Sequence, residues 1–128
     1  MRSISPSTMH PPFGNYAHGA LIPGGAELLV TSGQLAISRE GDIPETAADQ
    51  AALIFENISE TLAQGKMERR DVFRIAGFVT DRAYFEPYMA ARDRWLDGTL
   101  ISPASTLVIV SGFTRPEFLV EIEVWAAR

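Results

Sequence analysis

Glu121 and Glu123 are the residues of this chain best suited to acid–base chemistry. They fall two apart in Phe118-Leu-Val-Glu-Ile-Glu-Val-Trp-Ala126, whose β-branched and aromatic residues read as a strand. Side chains alternate across a strand, so Phe118, Val120, Ile122 and Val124 share one face, and Leu119, Glu121, Glu123 and Trp125 share the other. Two carboxylates on one face of an apolar strand have two readings. A solvated face near a sheet edge accounts for at least one of them. The sharper reading has Glu121 looking into a cleft and holding a water or a ligand proton, as a general base does.

Other chemistries have poorer candidates. The 128 residues include no cysteine, which removes disulfides, thiolate nucleophiles and sulfur metal sites. His10 and His18 lie near the N-terminus without ligand spacing, so no metal is expected. Lys66 is the only lysine, and it sits in a polar connection, a poor place for Schiff-base chemistry. No cofactor is expected. A net charge of −5 and a pI near 4.9 repel phosphate backbones, so nucleic acid is disfavoured as a partner. No apolar run approaches a membrane span, and Met1-Arg-Ser-Ile-Ser-Pro lacks the apolar core of a signal peptide, so a cytoplasmic protein without membrane contact is expected.

The elements that must position Glu121 are legible in outline. Met1 to Phe13 is rich in Ser, Pro and His and reads as a flexible segment, leaving residues 14–128 as a single domain. Leu28 to Ser32 is a strand pattern that resumes at Leu35 to Ile37, and Gly33 between them marks a bulge or a close backbone approach. Ala47, Ala51, Ile54, Ile58 and Leu62 form one helical stripe, with Thr46 and Asp49 as an N-terminal cap and Gly65 as the stop. Asp71 to Thr80 is a strand. A second helix runs from about Phe85 to Asp97, with Pro87 in its first turn and Phe85, Tyr88, Met89, Arg92, Trp95 and Leu96 on its buried stripe. Arg92 is read there as a side chain snorkelling at the rim. Pro103 to Ser111 and Phe118 to Ala126 are expected to form a hairpin through Gly112-Phe-Thr-Arg-Pro116. The order implies an α+β domain, a mixed β-sheet with two helices packed on one face. Its uncovered face is best buried by another subunit.

Several of these segments resemble one family. Gly14-Asn-Tyr-Ala-His-Gly19 looks like the GPYS(H/Q)A opening of the Rid (YjgF) family, and Val30-Thr-Ser-Gly-Gln34 like its (V/T)SGQ strand. Phe78-Val-Thr-Asp81 followed by Phe85 is similar to its VF(L/V)TD…F segment, and Pro103-Ala104 with Val120-Glu-Ile-Glu-Val124 to its PARS…VEIEA ending. The resemblance implies a chorismate-mutase-like fold and a homotrimer whose sheets close an inner barrel, with a small-molecule cleft at each subunit interface. It also implies hydrolysis of reactive imines and enamines, and it carries cleft roles to Tyr16, Ser32, Gly33 and Glu121. The arginine of PARS, which in typical members grips the substrate carboxylate, is Ser105 here. Two positions on stands Leu107, and the asparagine often found in the second helix is Met89. A serine cannot supply the charge and fork of a guanidinium, so a neutral or differently placed ligand is expected. Arg115 in the turn is the nearest substitute in sequence. Three readings follow: a hydrolase using Glu121, a trimer that binds a metabolite without turnover, and the endoribonuclease label that some relatives carry.

Overall fold

The computed structural model describes residues 1–128. In chain order the elements are β1 (Arg2–Ile4), β2 (Gly19–Leu21), β3 (Leu28–Val30), β4 (Gln34–Leu35), α1 (Ala47–Gln64), β5 (Val72–Val79), α2 (Phe85–Leu96), β6 (Ala104–Ile109) and β7 (Val120–Ala127). The five-stranded sheet runs β3-β7-β5-β6, with β4 continuing along β7 below β3. β5 and β6 are parallel and every other pair is antiparallel, so the sheet is mixed.

Both helices lie on one face of it. Ala51, Ile54, Phe55, Ile58 and Leu62 of α1, with Tyr88, Ala91 and Leu96 of α2, pack against Ile75, Val79, Val120, Ile122 and Val124. The caps of α1 form as the sequence predicts. Thr46 accepts a hydrogen bond from Asp49 N–H at 3.1 Å, and Gly65 closes the helix. Pro87 falls within the first turn of α2, where its missing N–H costs no helical bond.

Three expectations need correction. β6 and β7 are not a hairpin, because β5 lies between them. β6 pairs parallel to β5, so residues 110–119 must carry the chain across the end of β5 before β7 can run back along its other side. Val110 N–H to Val79 O at 2.8 Å and Thr80 N–H to Leu119 O at 3.1 Å fasten that crossing. The N-terminal segment is not wholly irregular either, since Arg2–Ile4 pairs antiparallel with Gly19–Leu21. Arg92 does not snorkel. It is 3% exposed and packs beneath the Gly14 loop.

Gln50 is the buried polar residue that ties α1 to the start of β7. Its amide donates to Pro44 O and Glu117 O and accepts from Leu119 N–H, each at 2.8 Å. With all three bonds made its burial costs little, and the backbone leading into Glu121 is held at a fixed height.

Candidate functional site

Glu121 owes its surroundings to a bulge. Val30 pairs with Trp125 and Gln34 with Ile122, so three residues, Thr31 to Gly33, stand opposite the two residues Glu123 and Val124. The extra residue is accommodated because Thr31 caps the gap. Its N–H donates to Val124 O at 3.0 Å, while its buried Oγ1 accepts from Val124 N–H at 3.0 Å. Ser32 and Gly33 are thereby pushed out of the ladder. Gly33 comes so close to Glu121 that a Cβ there would meet Oε1 at 1.9 Å and Cδ at 2.7 Å. Only a glycine leaves the carboxylate its place.

On the face away from the helices, Glu121 is flanked by its cross-strand neighbours Leu35 and Phe78. Glu123 lies two residues further on the same face. Burial beside these side chains, and secondarily the charge of Glu123, raises the Glu121 carboxyl above the usual carboxylate range. Arg74 stands on this face too, its guanidinium 5.3 Å from the Trp125 ring and its Nη2 donating to Thr106 Oγ1 at 3.2 Å. Leu28, Val30 and Val108 remain exposed there.

The remaining candidates from the sequence gather on the other side. Ser105 pairs with Ile75 and Leu107 with Gly77, so both point toward the helix layer, where Met89 is half-buried against the core. Gly77 has no side chain because the Tyr88 ring occupies its place: a Cβ would fall 2.5 Å from Cζ. The Tyr16 loop is laid along the outer edge of β6. Ala17 N–H donates to Pro103 O at 3.1 Å, and Tyr16 Oη accepts from Phe13 N–H at 3.3 Å. Ser32, Gly33 and Glu121 therefore form one group, while Tyr16, Met89, Ser105 and Leu107 form another across the sheet.

Arg115 belongs to neither group. It lies 5.9 Å from the Phe118 ring in the crossing past the end of β5. Ser105 is four residues back along β6 from Ile109, roughly 13 Å at about 3.3 Å per residue. The groove between α1 and α2, about 290 Å³ and floored by Phe55, Ser59 and Trp95, opens on the outer helical surface away from both groups. The sequence reading missed Gln50 and the burial of Arg92. Gln50 carried a signal, since it falls three residues after Ala47 and four before Ile54, on the apolar stripe itself.

Comparison with known proteins agrees on one family. The sequence profile described as Endoribonuclease L-PSP matches residues 8–128. A RutC family protein from the leuC 5' region of Leuconostoc mesenteroides subsp. cremoris is 30% identical over 129 residues, covering 98% of this chain and 96% of its own. The crystal structure of YyfB from Yersinia pestis, a Rid family protein of unknown function, superposes with a TM-score of 0.89 at 26% identity, covering 99% of this chain and 98% of that one. E. coli TdcF with bound serine superposes with a TM-score of 0.75 at 25% identity, over 100% and 99% of the two chains.

Proposed function

Because the chain belongs to the Endoribonuclease L-PSP family, the Rid (YjgF) family that its motifs resemble, we propose that it is a homotrimeric hydrolase of small imines, enamines or related C–N bonds. The observation that carries the reading is the Glu121 carboxylate seated over Gly33, with its proton affinity raised by its surroundings. A carboxylate whose pKa moves toward neutrality is a better general base at physiological pH. Hydrolysis adds water across C=N. The water oxygen bonds to carbon while Glu121 takes one of its protons and passes it to the nitrogen, and the resulting carbinolamine gives up its hydroxyl proton to the nitrogen as the C–N bond breaks, leaving a carbonyl and, from an unsubstituted imine, ammonia. Such bonds hydrolyse readily in water, so orientation and modest base assistance suffice.

A cleft that uses both groups of candidates needs two copies of the chain, because within one copy they face opposite sides of the sheet. The open face, with Val30, Val108 and the Trp125 edge uncovered by helices, suits burial in a trimer. Light scattering is expected to give about three times the 14.0 kDa chain mass; a stable monomer would remove the shared cleft. The serine held by TdcF supports a small polar ligand. The net charge of −5 favours such a ligand over RNA.

Glu121→Gln is the decisive substitution. The amide cannot accept a proton, so the trimer and ligand binding should persist while turnover of a responsive imine falls by about 10²–10⁴-fold. Unchanged turnover would dismiss Glu121 as the base. A second reading, a trimer that holds a metabolite without converting it, is favoured by Ser105, which places no charge on β6. Saturable binding with no turnover across a panel of neutral and anionic imines and enamines would select it.

A further inference from the structure

Arg92 is the only charged side chain that the fold buries. Nε–H donates to Asp93 Oδ1 at 3.0 Å, and Nη2 lies 2.9 Å from the same oxygen as an ion pair. A guanidinium has five N–H bonds, so four are left over, and no other side chain or carbonyl of the chain accepts them. Asp93 itself is 44% exposed and occupies only one edge of the fork. The Gly14 backbone lies beside Nη2, close enough that a Cβ there would fall 3.6 Å from it.

Tyr88 stands one turn earlier on α2, on the same helical face as Arg92. Its Oη is fully buried and has no hydrogen-bond partner. Burial pushes the phenol up to about 12, against the opposing pull of Arg92, so it stays a neutral O–H donor throughout the physiological range. The Ser105 hydroxyl on β6 is near enough to lower that value slightly, yet it falls outside hydrogen-bond geometry. Buried hydroxyls are almost always satisfied, so this phenol calls for an acceptor that the chain itself does not supply. Guanidinium and hydroxyl are both close enough to act on the phenol, and Asp93 is the only acceptor paired with the three. Such a set recognises an anion with at least two oxygens.

We propose that Arg92, Tyr88 and Ser105 form a carboxylate-binding subsite, so that the ligand of the interface cleft is an anion held from α2 rather than a neutral molecule. The charge that β6 lacks at Ser105 is supplied one layer behind it. The inference rests on the cleft reading above for the location of the rest of the ligand, and it requires no turnover.

The test is calorimetric titration of the assembled protein with 2-oxobutanoate and with its neutral amide. The acid should bind saturably and about tenfold or more tightly than the amide. Tyr88→Phe removes only an oxygen that has no partner in the fold, so it should keep the fold and trimer while weakening the acid about fivefold and leaving the amide unchanged. Arg92→Lys, with circular dichroism to verify folding, should erase the preference for the acid, and Arg115→Ala should keep it. Equal binding of acid and amide, no binding of the acid, or a preference that survives both Tyr88→Phe and Arg92→Lys would each overturn the subsite. Loss of the preference in Arg115→Ala would move the anion site to the turn and overturn it as well. A Glu121→Gln protein that still binds the acid through Arg92, beside a wild type that hydrolyses no imine, would dismiss the hydrolase and leave the subsite standing.

Discussion

Gly77 and Gly33 each surrender a side chain so that another can occupy the space, and they do it on opposite faces of the sheet. At Gly77 the occupant is the rigid Tyr88 ring, fully buried between α2 and β5, with nowhere to retreat. At Gly33 the occupant is the end of the Glu121 side chain, which can swing away by changing rotamer. One glycine therefore protects packing and the other protects the placement of a single carboxylate. The helix-covered face is where the fold stores its stability. The open face is where it keeps a carboxylate that is free to move.

The largest effect should come from Gly77→Ala. An added methyl 2.5 Å from Tyr88 Cζ forces the ring or β5 to move, and over-packing of this kind costs about 1–3 kcal/mol, measurable as a lower urea midpoint at unchanged slope. Gly33→Ala should shift the same midpoint by less than about 1 kcal/mol, because a partly exposed carboxylate can rotate out of the way. It should nevertheless abolish hydrolysis, since Glu121 is expelled from its seat. Equal destabilisation by the two alanines would erase the distinction between the faces.

The smallest effect sharpens the comparison further. Glu121 has a raised carboxyl pKa in the fold, so just above the ordinary carboxylate value the native protein holds a proton that the unfolded chain has released. Stability should fall as pH rises through that window and level off above the raised value. Unfolding midpoints from about pH 4 to about pH 7 should show this slope in the wild type and a shallower one in Glu121→Gln. An identical slope in both would show that Glu121 titrates as a freely solvated carboxylate.

The division between faces was legible in the sequence because it depends on parity alone. The alternation from Phe118 to Trp125 assigned Val120, Ile122 and Val124 to the core, and Glu121 and Glu123 to the open side, as observed. The bulge at Gly33 and the caps of α1 were also local signals, carried by a few adjacent residues. Neighbours in the sheet were not legible. The β-branched runs before and after Gly112 satisfy a hairpin pattern, and nothing within them records that β5 claims an edge of each. Arg92 was misread for a related reason. Its helical position gave the correct face, but what lies over that face is the Gly14 loop, some eighty residues earlier in the chain.

The central place of β7 bears on the order in which this protein can take shape as it is synthesised. β3, β4 and β5 all pair with β7 and no two of the three pair with each other, so within the five-stranded sheet the only contact available before β7 emerges is the parallel one between β5 and β6. The nascent chain can form its helices early, yet its main sheet has to wait for the last strand to slot between partners made long before. Pairings that span nearly the whole chain are slow to find. During that delay both edges prepared for β7 stand open to other copies of the same sequence, and a ribosome that stalled before Val120 would release a chain with those edges permanently exposed.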